Sequence, residues 1–239
     1  MISFIIPTYN EEILLLGILR QLFENKADSK FEYEVIITDG GSNDRTVELA
    51  LQYPLKIVQP EKGRDNIPIG KNRGASAAIG DIYVFVCADV IFSDLELFLS
   101  LISQKVQGKT LAMTFPVYVF PWERKLQDIL FHSFYNQYFR FINLIGIGFG
   151  RGECQVIAKS LFERIGGFQE QLAAGEDFDL FKRAAFHSKI DFCTKTCIYE
   201  SPRRYRKFGY LKVVKMWTKN AFSVLSKNES HSKEWEAVR

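Results

Sequence analysis

The sequence predicts an α/β fold: a doubly wound, mainly parallel sheet with helices on both faces. Two observations carry that expectation. β-Branched apolar runs alternate along the chain with amphipathic stretches of helical period, the pattern of strands joined by crossover helices. The two opening runs, SFIIPTYNEE at 3–12 and YEVIITDGGSNDRT at 33–46, each stop abruptly in polar, turn-forming residues. A buried parallel strand reads this way where its carboxyl end opens into a loop. Ligands of open α/β sheets bind in the crevice beyond those ends.

The elements follow in order. Residues 11–27 set Ile13, Leu14, Leu16, Ile18, Leu19 and Leu22 among charges, which predicts an amphipathic helix. A second helix is expected over 46–53, started by the Ser42-Asn43-Asp44 cluster. A short strand at 55–59 leads to a polar loop at 61–68. Small residues at 69–79, among them Gly70, Gly74, Ala75 and Ala78, predict a helix able to lie close to its neighbours. A strand at 82–87 ends at Ala88-Asp89. A helix at 95–106, with Ser93 or Asp94 as its cap, precedes a strand at 111–119.

From residue 121 the texture changes. The 122–145 stretch is aromatic and helix-like. GIGFGRG at 146–152 reads as a flexible loop, and its glycines match no phosphate-loop spacing, which discounts P-loop ATP hydrolysis. A helix at 161–165 should end at Gly166-Gly167, and Gly175-Glu176-Asp177 should open another over 176–187. A strand near 190–194, the basic segment SPRRYRKFGY and a last amphipathic helix at about 208–226 complete the chain.

At 239 residues, with 47% apolar and 25% charged residues, the chain suits one globular domain with at most an appended lobe. A net charge of +3 does not nominate nucleic acid as a partner. The charge is unevenly placed, however: residues 201–228 hold eight Lys or Arg and no Asp or Glu. Such a block is either a solvated face or a surface for phosphates or anionic lipid. Cys87, Cys154, Cys193 and Cys197 lack zinc-site pairing, as expected of free thiols in a reducing cytosol. The opening MISFIIPTYNEE has no basic n-region and does not read as a signal peptide. No run approaches the roughly 20 apolar residues that span a bilayer. The expected location is therefore cytoplasmic, with peripheral contact at the inner face of the membrane as a further expectation. The sequon at 228–230 reads as chance.

Four groups of residues can carry chemistry. Asp39, at a strand end, can accept hydrogen bonds from a ligand or simply begin the DGGSND turn. Asp89, beyond another strand, can hold a divalent cation that bridges ligand phosphates. Glu176 and Asp177 stand at a helix N-terminus, where the dipole favours carboxylates; two are more than a cap requires, and one can serve as a general base. Arg203, Arg204 and Arg206 form a cluster suited to phosphate oxygens, with Lys71 and Arg73 as further cations.

Taken in order, IIPTYNE, ITDGGSNDRT, GKNRGASAAIGD, the strand ending at Ala88-Asp89 and IGGFQEQLAAGEDFDL, the chain resembles the family 2 glycosyltransferases of the GT-A fold over residues 1–205. The continuation RRYRKFG is similar to a small, single-domain bacterial or archaeal subgroup. The resemblance implies a nucleotide-sugar-binding half at 1–119 and an acceptor and catalytic half at 120–205. Residues 206–239 would form an amphipathic helix and tail. It implies inverting transfer from a nucleotide-diphosphate sugar, assisted by Mg²⁺ or Mn²⁺, to an acceptor that is open between lipid-linked molecules and polysaccharide. Pro7, Thr8, Tyr9 and Glu11 would line the nucleoside pocket, Asp39 would bind the base, and Lys71 would sit near the base or phosphate. Asp89 would be the metal and diphosphate carboxylate, with Arg203 and Arg204 on the donor. Asp177 would be the base, with Glu176 beside it.

Two departures stand out. The family's Asp-x-Asp reads Cys87-Ala88-Asp89, and no histidine stands where a metal ligand often does, since that region reads Tyr199-Glu200-Ser201-Pro202-Arg203. A nucleotidyltransferase would show a basic, Gly-rich loop after the first strand, whereas PTYNEE is acidic and glycine-free. A non-catalytic sugar-nucleotide-binding protein would not need the Glu176-Asp177 pair. In the last helix, Tyr210, Val213, Val214, Trp217, Ala221, Val224 and Leu225 recur at helical spacing beside Lys212, Lys215 and Lys219. Core packing and monotopic contact with anionic lipid both fit that pattern.

Overall fold

The computed structural model describes residues 1–24, 26–61, 63, 65–106, 108–227, 229–232 and 238. The chain opens with β1 (Ile2–Thr8), α1 (Leu15–Phe23), β2 (Tyr33–Asp39), α2 (Thr46–Ala50), β3 (Lys56–Val58), α3 (Ile67–Ala77) and β4 (Ile82–Val86). Then come β5 (Val90–Phe92), α4 (Leu95–Lys105), β6 (Thr110–Thr114), β7 (Val117–Val119), α5 (Leu126–Leu144), β8 (Cys154–Ala158) and α6 (Lys159–Arg164). The chain continues through α7 (Glu176–Ala185), β9 (Lys189–Phe192), β10 (Ile198–Glu200), α8 (Arg203–Phe208) and α9 (Tyr210–Lys227). Lys62 and Arg64 of the polar loop and Asn228 of the sequon lie outside the described residues.

The main sheet has the order β3-β2-β1-β4-β8-β6-β9. β1 runs parallel to β2 and β4, β2 to β3, and β6 to β9. β8 alone runs against its neighbours β4 and β6. A small sheet, β5-β10-β7, stands beside it. Strands buried on both faces explain the unbroken apolar runs; in β1, Phe4, Ile5 and Ile6 are fully buried. α1 turns Leu15, Ile18, Leu19 and Leu22 inward. α3 starts where Asn66 Oδ1 accepts from Ile69 N at 3.0 Å. It lies so close to the sheet that a Cβ on Gly74 would stand 2.4 Å from Ile5 Cγ2 and 2.5 Å from Thr38 Cγ2. Asp94 caps α4 through Leu97 N.

The structure corrects several expectations. The single strand over 111–119 is two strands in different sheets, β6 and β7. Pro116 lies between them and has no N–H to continue a ladder, so the chain leaves the main sheet there. The final helix is found as α9, and an extra short helix precedes it, parted from it at Gly209, which sits at φ 76°. The basic segment at 201–210 is thus mostly helical, as α8. β5, β8 and β10 were not expected: β5 follows β4 and β10 follows β9 with no helix between to set it off as a strand, and β8 runs directly into α6. The GIGFGRG loop is pinned rather than loose: Asn143 Oδ1 accepts from Phe149 N at 2.8 Å, and its Nδ2 donates to Phe149 O at 2.9 Å.

α9 packs part of its apolar side, while Leu211, Phe222 and Leu225 stay exposed. Val213, Asn220 and Val224 are buried. Val224 joins Leu172 and Phe178 in a small apolar cluster, and the Trp217 ring lies 5.8 Å from that of Tyr135. The four cysteines are free.

Candidate active site

A cavity of about 680 Å³ opens beyond the carboxyl ends of β1 and β4. Of the residues singled out from sequence, Pro7, Thr8, Tyr9, Glu11, Lys71 and Asp89 lie in its wall, as do Glu176, Asp177, Arg203 and Arg204. Asp39 does not. Its side chain is turned to the adjoining turn: Gly41 N and Ser42 N donate to Oδ2 at 3.1 and 3.0 Å, Gln59 Nε2 donates to the same oxygen at 3.1 Å, and Thr8 Oγ1 donates to Oδ1 at 3.2 Å. This is the hydrogen-bond complement of a turn-forming aspartate.

The two strand mouths form one structure. Parallel register sets Thr8 opposite Asp39. Beyond it, Asn10 takes φ 54°, donates its N–H to Ser42 Oγ at 2.8 Å and accepts from Asn43 N at 2.8 Å. Glu11 N donates to Thr46 Oγ1 at 2.7 Å. The capping cluster expected to start α2 therefore also holds the β1 loop.

Asp89 follows β4. Arg203 Nη2 sits 3.0 Å from Asp89 Oδ2 and 2.7 Å from Glu11 Oε1, so one guanidinium spans the two carboxylates. The arginine cluster does not act as a unit. Arg206 makes a two-point pair with Asp128 of α5, at 2.9 and 2.5 Å, and Arg73 pairs with Asp65. Among the described residues no group of three or more His, Cys, Asp or Glu could cage a metal. A single carboxylate nevertheless suits a magnesium-type ion that completes its shell with phosphate oxygens and water, and Asp89 is a carboxylate in the cavity wall. Cys87, where a second acid was the pattern, is a neutral thiol. Burial pushes its pKa well up, with Asp89 adding to the effect, and Sγ donates to Gly152 O at 3.3 Å.

Opposite stand Glu176 and Asp177, presented by the first turn of α7. Lys71 Nζ donates to Glu176 Oε1 at 3.0 Å. Burial pulls the Lys71 ammonium down, but the Glu176 carboxylate, together with Cys87 and Asp177, outweighs it, and its pKa stands above the ordinary value. Asp177 is pushed up to about 7, by burial first and then by the Glu176 charge. Its Oδ1 accepts from Phe178 N at 2.8 Å. A Cβ on Gly152 would come within 3.0 Å of Asp177 Oδ2, so the glycine leaves that oxygen room.

Sequence reasoning missed a second polar group in the wall. Arg151 is 3% exposed; its Nη2 reaches Glu153 Oε1 at 2.7 Å and Glu200 Oε1 at 2.9 Å. Tyr205 OH donates to Glu200 at 2.9 Å. Burial alone would raise Glu153, but the Arg151 charge overrides it and holds the acid down at about 2. Burial and the Glu153 charge push Glu200 well above the carboxylate range. His132, buried against Glu200 and Arg151, is driven down to about 3 by desolvation and the guanidinium, so it is neutral. The available signal was Arg151 and Glu153 standing within an otherwise apolar run, FGRGECQVI.

Comparison with known proteins agrees with this architecture. The family model described as Glycosyl transferase family 2 matches residues 3–166. A Dictyostelium discoideum dolichyl-phosphate beta-glucosyltransferase is 37% identical over 83 residues, 33% of this chain and 25% of that protein. A Pyrococcus furiosus dolichol-phosphate mannosyltransferase is 36% identical over 95 residues, 37% of this chain and 26% of that one. The aligned segment thus spans about a quarter of each relative's own length. Among solved structures, a Pyrobaculum calidifontis mannosyltransferase in complex with GDP-Man and Mn²⁺ superposes with TM-score 0.63 at 20% identity, over 84% of this chain and 56% of that one. The S. aureus TarS 1–349 complex with UDP-GlcNAc gives TM-score 0.63 at 18% identity, over 84% and 58%. The fold is GT-A.

Proposed function

The chain belongs to glycosyl transferase family 2, and from that membership and the cavity we propose that it transfers a sugar from a nucleotide-diphosphate sugar to an acceptor hydroxyl with inversion. The observation that carries this reading is the pairing, in one cavity, of Asp89 beyond β4 with an Asp177 carboxyl held near neutrality. A base with a pKa close to working pH takes a proton most effectively.

In this reading Pro7, Thr8, Tyr9 and Glu11 bound the nucleoside, and Lys71 fixes Glu176 so that Asp177 keeps one orientation. The acceptor hydroxyl gives its proton to Asp177 as its oxygen bonds to the anomeric carbon. The bond from that carbon to the diphosphate breaks on the opposite face, and the electron pair leaves with the diphosphate. Asp89 would hold a Mg²⁺ or Mn²⁺ ion, whose chemistry is to neutralise charge on the departing diphosphate. Arg203 and Arg204 lie in the wall to bind the same oxygens. The bound metal and sugar nucleotides of the structural neighbours support this arrangement. Asp39, sealed by its own turn, would reach a base only if Gln59 or the turn amides released it.

The test is release of nucleoside diphosphate from UDP- and GDP-sugars, with and without Mn²⁺, by the wild type and Asp177→Asn. The expected result is metal-dependent release that falls about 10²–10⁴-fold in the variant. Equal rates in both would remove Asp177 from the role.

A further inference from the structure

Helix α5 is polar on its inside and apolar on its outside. Its buried residues are Asp128, His132, Asn136, Phe139 and Asn143, three or four apart. The polar ones have protein partners: Asp128 pairs with Arg206, Asn136 bonds both N–H and C=O of Val117 at 3.1 and 3.0 Å, and Asn143 clamps Phe149. The outer face carries Leu130 at 64%, Phe134 at 66%, Phe141 at 58% and Leu144 at 77% exposure. A helix facing water places these classes the other way round, and an exposed apolar face such as this one, broken by Gln137, marks a docking surface.

Charge identifies the occupant. Between residues 124 and 147 the charged residues are Arg124, Lys125, Asp128 and Arg140. Asp128 is fully buried and neutralised by Arg206, whereas Arg124, Lys125 and Arg140 are exposed. With Glu123, exposed just before Arg124, the stripe is bordered by three cations and one acid, a net positive rim. A second copy of the same face would oppose like charges, while anionic lipid headgroups would complement them. Trp122, exposed just before the helix, is the residue type that settles at a membrane–water boundary. Among the described residues no helix is long and apolar enough to cross a membrane, so contact would be in the plane of the interface.

The stripe runs into the cavity. Phe134 and Tyr138 belong to the exposed face and also line the cavity wall, with Tyr135 and Phe139 behind them. We propose that α5 seats its outer face on an anionic bilayer, and that the acceptor is a membrane lipid. Its polar head reaches Asp177 while its chain stays among Phe134, Tyr138 and the surrounding lipid. This rests on the transferase reading above and names its acceptor class. It places the lipid contact on α5; α9 packs Val213 and Val224 inward but also leaves Leu211, Phe222 and Leu225 exposed.

The test uses the full chain with phosphatidylcholine vesicles, with and without phosphatidylglycerol. Three substitutions, Leu130→Ser, Phe141→Ser and Leu144→Ser, are combined in one variant; none of these residues lines the cavity. The expected result is sedimentation with the anionic vesicles that weakens as salt rises, reduced roughly 100-fold in the variant. Nucleotide-sugar hydrolysis in free solution and the melting temperature should stay unchanged. Absence of binding at low salt, equal binding by the variant, or a wild-type dimer that the variant abolishes would each overturn the docking surface. Loss of hydrolysis in the wild type would instead overturn the transferase reading, so the two failures are distinguishable.

Discussion

Lys71 Nζ and Glu176 Oε1 stand 3.0 Å apart, with side chains only 2% and 9% exposed and 105 positions between them in sequence. The pair ties α3 to the first turn of α7, beside Asp177. Removing one partner of such a dry pair strands the other charge. Lys71→Met should lower unfolding free energy in urea by about 3–5 kcal/mol, and adding Glu176→Gln should restore most of it.

Asp177 gives the reaction its pH dependence. A base must be ionised, and burial with the Glu176 charge pushes this carboxyl up to about 7. The rate should therefore climb with pH and level off above about 7. Stability moves the opposite way. The folded state holds this proton more tightly than the unfolded chain, so this residue's contribution falls as pH rises from the ordinary carboxylate range to about 7. Asp177→Asn should flatten both profiles, read by initial rates and by melting temperature across pH.

Arg203 bridges Asp89 and Glu11 at 3.0 and 2.7 Å. An entering diphosphate and cation would compete for those partners. Arg203→Gln should raise the KM for the sugar nucleotide about tenfold, as expected for one lost charge-assisted hydrogen bond. It should also enlarge the thermal shift that Mn²⁺ alone produces. Steady-state kinetics and a metal titration check the two halves separately.

Glu153 and Glu200 share Arg151 yet are pushed in opposite directions. Burial and the Glu153 charge push Glu200 up, toward the neutral acid that an amide resembles. Glu200→Gln should change stability by less than about 1 kcal/mol, while Glu153→Gln leaves Arg151 without its counter-charge and should cost about 3–5 kcal/mol. Chemical denaturation of both variants is the check, and equal losses would contradict the assigned asymmetry.

Gly74→Ala should destabilise by about 1–3 kcal/mol, because the new Cβ overlaps Ile5 and Thr38 and α3 must shift off the sheet. The same movement would displace Lys71, one turn earlier, so a loss of rate should accompany the loss of stability.

Periodicity and turn chemistry made the first half legible. β1, β2 and β4 hold unbroken β-branched or aromatic apolar runs, buried on both faces, that stop at turn residues, and so read as strands from composition alone. The cavity residues that follow such strands were legible for the same reason. β8 and β10 were not. Polar residues fall within them, Gln155 in β8 and Glu200 in β10, and their identity depends on partners far away in sequence: Cys154 pairs with Val86, and Glu200 with Val90 and Val119. The Arg151–Glu153–Glu200 group inherits that difficulty, since it exists only once β8 and β10 are placed. Asp39 shows the converse. Its position at a strand end was readable, but whether its oxygens face a ligand or its own turn is a matter of orientation that no spacing encodes.

The antiparallel strand β8 also sets an order on assembly. As the polypeptide leaves the ribosome, β3, β2, β1 and β4 can pair once residue 86 has emerged, yet one side of β4 then has nothing to bond. Its neighbour arrives only with residues 154–158, and β6, made earlier, must wait for that same segment before it can join. The nascent half-sheet thus carries an open apolar edge through some seventy residues of synthesis, with the long-range closure that slows folding and invites mispairing. A substitution that weakens β8 would show itself first as poor yield and aggregation during expression, before any defect in the finished site.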